Sequence, residues 1–210
     1  MAKGNVILKM ENLCFSYSNG YEALKNINLE IYEGEKIAVL GANGAGKSTL
    51  FLCLNGIYKK SNGKYIFNGK EVGYSKKELI ALRQDVGVVF QQPENQIIAT
   101  VVEDEVGFGA MNLRLSSDEV DLRIKNSLQA VEMLEHRTKP VHFLSYGQKK
   151  RVSIASVLAM NPKVIAFDEP TSSLDPYNTF MVDKIIEKLN NEGKTVIVAT
   201  HDINSAYSWA

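Results

Sequence analysis

The sequence predicts an α/β fold that combines a core with a parallel sheet, an N-terminal antiparallel β subdomain and an inserted helical subdomain. Short apolar runs alternate with helical patterns from residue 36 onwards, as expected for parallel strands covered on both faces. Two β-type runs precede them, and residues 100–160 show helical patterns alone. We therefore expect residues 1–99 and 161–210 to form the core with its β subdomain, and residues 100–160 to form the helical subdomain.

The N-terminal half supplies most of the predicted strands. Runs of β type at Val6–Tyr17 and Ala23–Ile31 flank the turn SNG, and a short apolar strand follows at Lys36–Leu40. That strand leads directly into the segment GANGAGKST, and a helix is predicted at Lys47–Leu54. The runs GKYIFNGK and VGVVF, the latter at Val86–Phe90, are predicted to be two further strands.

The C-terminal half opens with helices. Five apolar residues fall three or four positions apart, on one face of a predicted helix: Val120, Ile124, Leu128, Val131 and Leu134. Ser117 precedes Glu119 and is expected to cap this helix. The later elements are a helix that begins at LSYGQ, a strand at Val164–Phe167, a helix at about Pro176–Asn191 ended by Gly193, and a strand at Thr195–Ala199.

The composition is that of a globular protein without a strong charge preference. Apolar residues make up 45% and charged residues 23% of the 210 residues. Lysine plus arginine and aspartate plus glutamate each total 24, so no net basic field favours nucleic acid. The run KKR at Lys149–Arg151 is expected to be a solvated helix face. Cys14 and Cys53 are expected to be free thiols in a reducing cytosol. No apolar run approaches the roughly 18 residues of a membrane span, so we expect a soluble chain.

The segment GANGAGKST, at Gly41–Thr49, matches the phosphate-binding motif G-x-x-x-x-G-K-[ST]. It lies between a predicted strand and a predicted helix, as that motif requires. Its glycines would leave backbone N–H groups to surround phosphate oxygens. Lys47 would reach the β- and γ-phosphates, and the Ser48 hydroxyl would ligate Mg²⁺. A plain glycine turn is the alternative, but the strand-to-helix context favours a P-loop that binds a nucleotide.

A second segment, KVIAFDEPTSSLD at Lys163–Asp175, places two carboxylates at the end of an apolar strand. Asp168 would lie beside Mg²⁺ at the carboxyl edge of the sheet, where ligands bind in α/β folds. Glu169, projecting the other way, would polarise the attacking water. Solvated carboxylates at a strand end are the alternative, but the P-loop earlier in the chain favours the catalytic interpretation.

Three further features are weaker signals when each is taken alone. His201 follows the apolar strand TVIVAT, where it would hydrogen-bond the γ-phosphate, and Gln91 directly follows VGVVF at the same sheet edge. The signature segment, Leu144–Gln148 (LSYGQ), combines a capping serine with a glycine at a helix start, which is a natural anion site. A lone histidine or glutamine at such a position is more often a surface or loop residue.

The order of these features resembles the nucleotide-binding subunit of an ABC transporter: P-loop, Gln91, LSYGQ, Asp168-Glu169, SSLD and His201. The resemblance covers nearly the whole chain, and LSYGQ is its most specific part because other P-loop families lack it. It implies an ATPase with a P-loop NTPase core, and ATP and Mg²⁺ as cofactors. One chain would contact its own nucleotide through Tyr17, which stacks on adenine, and through Gly41, Asn43, Gly44, Ala45, Gly46, Lys47, Ser48 and Thr49.

The same resemblance implies roles for the polar residues at the sheet edge. Glu169 would be the general base, and His201 would contact the γ-phosphate. Gln91 would touch Mg²⁺ and the attacking water and would sense the membrane partner. Asp168 and Ser48 would complete the Mg²⁺ site.

The resemblance also implies that two such domains pack head to tail. Ser145, Gly147 and Gln148 of one domain would contact the ATP held by the P-loop of the other, and Asp175 would couple the two sites. The expected partners are therefore a second ATPase subunit, either a copy or a paralogue, and an integral membrane transporter subunit. The chain would lie peripherally on the cytoplasmic face of the cell membrane, and a coupling helix of the membrane subunit would dock on the helical block at Thr100–Leu134.

Two details are similar to the ATPases of energy-coupling-factor importers for cobalt, nickel or vitamins. Tyr146 stands where the commonest signature has glycine. FQQPENQI, at Phe90–Ile97, resembles that group's FQ-N-P-x-x-Q segment, with Gln96 as its second glutamine and Gln92 in place of the asparagine. Relatives usually continue after His201 with a strand pair and a C-terminal helix or domain, so we expect a truncated form of a longer protein.

The function predicted from the sequence is an ATPase that energises such an importer and has no nucleic-acid partner. The alternatives are an ABC ATPase of another transporter class, and a soluble ABC ATPase that acts on nucleic acid or ribosomes. The nucleic-acid versions carry long coiled-coil insertions or a second ATPase domain, whereas a compact helical block separates Gln91 from Ser145 here. A nucleotide-binding but inactive assembly subunit is a further alternative. Four intact residues argue against it: Lys47, Asp168, Glu169 and His201.

Overall fold

The computed structural model describes residues 4–202 and Ala206, and two sheets form its framework. The strands are β1 (Val6–Ser16), β2 (Glu22–Tyr32), β3 (Lys36–Leu40), β4 (Asn62–Phe67), β5 (Lys70–Glu71), β6 (Val86–Val89), β7 (Val164–Asp168) and β8 (Thr195–Thr200). The helices are α1 (Lys47–Leu54), α2 (Lys76–Asp85), α3 (Val102–Met111), α4 (Ser117–Ala130), α5 (Tyr146–Leu158) and α6 (Pro176–Asn191). Short 3₁₀ helices occupy Pro93–Asn95, Leu134–His136 and Val141–Phe143.

The N-terminal sheet is antiparallel, with the strand order β2-β1-β4-β5. Met10 on β1 pairs with Leu29 on β2 and with Tyr65 on β4. Its buried side chains share a core with Phe51 and Leu54 of α1, because one face of such a sheet packs inward. The predicted N-terminal antiparallel sheet is therefore confirmed.

The second sheet is parallel, with the strand order β3-β8-β7-β6. Alternate residues of β7 enter different cores. Ile165 and Phe167 pack in the core that contains α5 and α6, whereas Val164 and Ala166 pack in the core that contains α1. The sheet is therefore covered on both faces, as the alternation of strands and helices predicts.

The register of the parallel sheet aligns the ends of its strands. Leu40 pairs with Thr200, and Asp168 pairs with Ala199. Because parallel strands all point the same way, the residues that follow them meet at one edge. The segments after β3, β6, β7 and β8 are those that the sequence marks as chemically important.

Helices α3, α4 and α5 pack on one another between β6 and β7 in the chain. Val106, Leu128 and Val152, one from each helix, are fully buried in a common core. A Cβ atom on Gly107 would lie 2.9 Å from Ile124 Cδ1, so glycine permits the close approach of α3 to α4. Among the described residues, no helix has both the length and the apolar character needed to cross a membrane.

The structure corrects three local expectations. Ser116, and not Ser117, caps α4, because it is the Ser116 hydroxyl that accepts a hydrogen bond from the Glu119 N–H. The KKR run is not a solvated face, because Lys150 and Arg151 are buried. Helix α2 was absent from the prediction, since Leu82 is its one buried residue and its apolar periodicity is weak. Cys14 and Cys53 are free thiols, as predicted.

Candidate active site

The P-loop joins β3 to α1 through glycines whose backbone conformation favours this residue. Gly44 and Gly46 have φ angles of 81° and 95°. A Cβ atom on Gly46 would also lie 2.9 Å from Ala23 O, so a larger residue would require backbone movement. No side chain of the described part of the chain caps the N-terminus of α1. Its first N–H groups are therefore left for an anion.

Lys47, the first residue of α1, is held inside the loop. Its ammonium donates hydrogen bonds to Gly41 O at 2.7 Å and to Ala42 O at 3.3 Å. Glu169 Oε1 also lies 3.3 Å from Lys47 Nζ, and both side chains are buried. That contact lacks hydrogen-bond geometry, so Glu169 Oε1 is a buried oxygen without a hydrogen-bond partner. A buried ammonium in this position can bind anionic phosphate oxygens strongly.

Asp168 ends β7 and lies against the start of α1. The Ser48 hydroxyl donates a hydrogen bond to it. Burial raises the pKa of Asp168, and the Ser48 hydrogen bond opposes that shift. Its Oδ1 atom is buried without a hydrogen-bond partner. A hydroxyl and a carboxylate with an uncommitted oxygen are hard ligands of the kind that Mg²⁺ prefers, so these two residues fit the ion.

Glu169 turns the chain sharply at the end of β7. Its φ angle is 44°, in the left-handed region that residues other than glycine seldom adopt. The backbone N–H donates to Ala199 O at 3.0 Å, which ties this conformation to β8. The side chain then reaches both Lys47 and His201, and His201 Nδ1 lies 2.9 Å from Glu169 Oε2. Backbone strain of this kind is concentrated at functional sites.

Gln91 follows β6 and approaches the same cleft from the side of α5. Its Nε2 atom lies 3.5 Å from Ser172 Oγ. Its backbone oxygen accepts a hydrogen bond from Lys150 Nζ at 2.9 Å. Burial lowers the pKa of Lys150 to about 8, and Asp168 opposes that shift.

A cleft of about 480 Å³ brings most of the predicted nucleotide contacts together. Its lining comprises Tyr17, Tyr21, Ala23, Asn43, Gly44, Ala45, Gly46, Lys47, Ser48, Thr49, Gln91, Asp168 and Glu169. Tyr17 OH lies 2.8 Å from Thr49 Oγ1, and the ring of Tyr17 is stacked on that of Tyr21 with centroids 6.4 Å apart. Gly41 and His201 join this set through their contacts with Lys47 and Glu169.

The signature segment lies outside this cleft. Ser145 caps α5 in a capping box with Gln148, whose Nε2 also lies 3.2 Å from His136 Nε2. A Cβ atom on Gly147 would lie 2.2 Å from Asn178 Cγ, and Asn178 donates hydrogen bonds to Asp175. Ser145, Gly147, Gln148 and Asp175 therefore form a second group, apart from the P-loop of their own chain.

Sequence reasoning missed several residues at the site. Tyr21 and Ala23 line the cleft, and the aromatic pair Tyr17–Tyr21 in FSYSNGY was the available signal. Ser172 contacts Gln91, and its place in the SSLD segment was the available signal. Lys150 was hidden in a charged run that resembles a solvated surface.

This geometry defines a P-loop nucleotide-hydrolysing protein, with phosphate donors, oxygen ligands suited to Mg²⁺ and a strand-end glutamate around one cleft. The ABC transporter family model matches residues 24–172. The chain therefore belongs to the ABC transporter family of ATP-binding proteins.

Several of the most similar relatives are energy-coupling factor transporter ATP-binding proteins. The chain is 50% identical over 198 residues to the energy-coupling factor transporter ATP-binding protein EcfA of Methanococcus maripaludis. This alignment covers 94% of the chain and 71% of that protein. The chain is also 48% identical over 199 residues to the energy-coupling factor transporter ATP-binding protein EcfA2 of Clostridium perfringens. This alignment covers 94% of the chain and 70% of that protein.

Solved structures agree with these relatives. One is CbiO1 of Clostridium perfringens, part of the ABC transporter complex CbiONQ, with a TM-score of 0.88 and 46% sequence identity. The superposition covers 98% of this chain and 82% of the CbiO1 chain. A dimeric ATP-binding cassette in a post-hydrolysis state, bound to ADP and Pi, has a TM-score of 0.86 and 34% identity, and covers 95% and 90% respectively. The predicted family, fold class and ATPase activity, with ATP and Mg²⁺ as cofactors, are thereby confirmed. The roles of individual residues stay predictions.

Proposed function

We propose that this ATPase energises an energy-coupling-factor importer for cobalt, nickel or a vitamin, as a peripheral subunit on the cytoplasmic face of the membrane. The identity of 48–50% to energy-coupling factor transporter ATP-binding proteins carries the importer class. The separation of the signature segment from the cleft supports the second ATPase subunit that such a motor requires. Ser145 and Gly147 present a helix N-terminus with an anion-binding character, yet they lie apart from Lys47 of the same chain. A second ATPase subunit, packed head to tail, would place this helix end on the ATP held by its neighbour.

The chain's own residues supply the chemistry of hydrolysis. Lys47 and the N–H groups of α1 bind the β- and γ-phosphates, and Tyr17 stacks on adenine. Ser48, Asp168 and Gln91 would hold Mg²⁺, which neutralises charge on the phosphate oxygens when bound.

Glu169 accepts a proton from the attacking water. The water oxygen bonds to the γ-phosphorus, and the bond to the β,γ-bridging oxygen breaks, which yields ADP and phosphate. His201, 2.9 Å from Glu169, orients this carboxylate and lies at the sheet edge where the γ-phosphate would sit. Asp175 caps α6 beside the signature segment, and this placement supports its predicted coupling of the two sites.

A groove of about 510 Å³ on the other side of the Gln91 segment is the proposed docking site for a helix of the membrane subunit. Large apolar side chains on its lining are exposed: Ile57, Ile80, Ile98 and Phe108. The charged residues on its lining are one exposed arginine, Arg83, and one buried glutamate, Glu105. An amphipathic helix with an apolar face therefore fits the groove better than a charged polymer does. The helical block at Thr100–Leu134 supplies only one wall, and the core supplies the other.

Reconstitution with the membrane subunits of an energy-coupling-factor importer tests this function. Proteoliposomes would be given cobalt, nickel or individual vitamins with Mg-ATP, and uptake would be compared with that of the Glu169→Gln variant. We expect ATP-dependent uptake of one of these substrates by the wild type and none by the variant. Turnover that responds to DNA or ribosomes, with no uptake of any substrate, would contradict the proposal.

A further inference from the structure

Several side chains tie the Gln91 segment, residues 90–96, to α5, and those of Lys150 and Gln96 make the shortest of these hydrogen bonds. Lys150 is 0% exposed, and its ammonium donates hydrogen bonds to Phe90 O at 2.7 Å and to Gln91 O at 2.9 Å. At the other end of the segment, Gln96 Nε2 donates to Ser153 O at 2.6 Å, and Gln96 Oε1 accepts from the Phe90 N–H at 3.0 Å. The segment is therefore tied to α5 near both of its ends.

A lysine is a costly residue for this buried position. Removing an ammonium from water is unfavourable unless hydrogen bonds compensate, and an apolar side chain of similar length would fill the same space without that cost. Packing alone therefore does not account for Lys150. Its hydrogen bonds go to two consecutive backbone carbonyls, which fixes the direction of the chain at the point where Gln91 enters the cleft.

The fastened segment lies between three functional surfaces. The Gln91 side chain lines the nucleotide cleft, whereas Phe90 and Gln96 line the groove on the opposite side. The helix to which the segment is tied begins at the signature segment, where Ser145 is its cap.

We infer that Lys150 and Gln96 are positioning residues that make the Gln91 segment and α5 move as one body. A shift of the signature end of α5 then repositions Gln91 in the cleft of the same chain, and so does a shift imposed through the groove. Rigid elements linked by hydrogen bonds transmit such displacements. The inference rests on the proposed role of Gln91, but the linkage of the segment to α5 can be measured separately.

A double-mutant cycle, measured on ATP hydrolysis by the full chain, tests whether Lys150 acts on turnover through Gln91. We expect Lys150→Met to lower kcat on the order of tenfold while KM for ATP changes less than about threefold, because a misplaced group impairs the transition state more than binding. In the Gln91→Ala background the same substitution is expected to lower kcat less than about twofold, since Lys150 acts through Gln91. Equal losses in both backgrounds would overturn the inference.

The neighbouring Lys149→Met is the matched control. Its ammonium also links α5 to the Gln91 segment, but through a partly exposed ion pair with Glu94 at 3.4 Å. Because exposed pairs contribute little, we expect kcat within about twofold of the wild type. If Lys150→Met lacks a cooperative thermal transition, Gln96→Ala replaces it in the same cycle, with the same pattern of losses expected.

Amide hydrogen exchange measures how firmly residues 90–96 are held on α5. In Lys150→Met, exchange at residues 90–96 is expected to rise on the order of tenfold, while β7 and β8 keep the exchange of the wild type. Unchanged exchange at residues 90–96 would overturn the inference. Faster exchange there, together with normal turnover of Gln91→Ala, would support the linkage and contradict the proposed role of Gln91.

Discussion

His201 and Glu169 meet across the ends of two neighbouring strands, with His201 Nδ1 2.9 Å from Glu169 Oε2. The histidine is the first residue after β8, and the glutamate is the first residue after β7. The other carboxylate oxygen of Glu169 lies 3.3 Å from Lys47 Nζ. The proposed general base is therefore held between the P-loop lysine and the histidine, each from a different segment of the sheet edge.

Replacement of Glu169 tests its role as general base. Glu169→Gln keeps the shape of the side chain but cannot accept the proton, so kcat should fall at least about 100-fold while ATP stays bound. Phosphate release and retained nucleotide would be measured on the purified protein. Glu192→Gln, whose surface ion pair with Lys188 spans 3.9 Å, serves as the control and should be unaffected. Normal turnover of Glu169→Gln would refute the assignment.

Replacement of Lys47 tests the phosphate site. Lys47→Ala removes the buried ammonium beside the loop, so the Kd for ATP should rise at least about tenfold. Titration calorimetry with Mg-ATP would measure it. Lys163→Ala removes a more exposed lysine that pairs with Asp85 at 3.3 Å, and its Kd should match the wild type. Equal affinities for all three proteins would argue against a phosphate contact by Lys47.

Introducing a charge on the groove wall by substitution tests the docking proposal. Phe108 is 53% exposed on the groove wall, so Phe108→Asp should fold and hydrolyse ATP at the basal rate. Reconstituted transport should nevertheless fall at least about tenfold, because a carboxylate buried in an apolar interface is costly. Leu122→Asp, at a residue that is 50% exposed on α4 and outside the groove, is the control. Unchanged transport by the Phe108→Asp variant would contradict docking in the groove.

Thiol reactivity tests the packing of α1 under the N-terminal sheet. Burial raises the pKa of Cys53 to about 12, so its thiol is protonated throughout the neutral range and reacts slowly as a nucleophile. In the folded protein at about pH 8, an alkylating reagent should leave Cys53 unmodified, and both cysteines should react after unfolding. Mass spectrometry of tryptic peptides would show the modified residue. Rapid modification of Cys53 in the folded protein would contradict the close packing of α1 against the N-terminal sheet.

The strand ends could be predicted because each combines an apolar run with a polar residue directly after it. Asp168, Glu169 and His201 were found in this way, and the parallel register brings them together. Local signals also sufficed for the P-loop, since the motif itself requires a strand before it and a helix after it.

Other features depend on packing that no local pattern encodes. Lys150 belongs to a charged run, yet it is buried and bonded to a segment about 60 residues earlier in the chain. Helix α2 has a capping box at Ser75 and Glu78 but almost no apolar face, so periodicity alone does not reveal it. Ser116 and Ser117 are adjacent serines, and the choice of cap depends on which hydroxyl faces the Glu119 N–H.

Light scattering on the Glu169→Gln protein, with and without Mg-ATP, tests the shared site most directly. Because the signature segment lies outside its own cleft, bound ATP should join two subunits, and the mass should double when Mg-ATP is added. Addition of Ser145→Arg should abolish the doubling but leave ATP binding intact, since Ser145 does not line the cleft. A protein that binds ATP and keeps the mass of one chain would contradict the shared site.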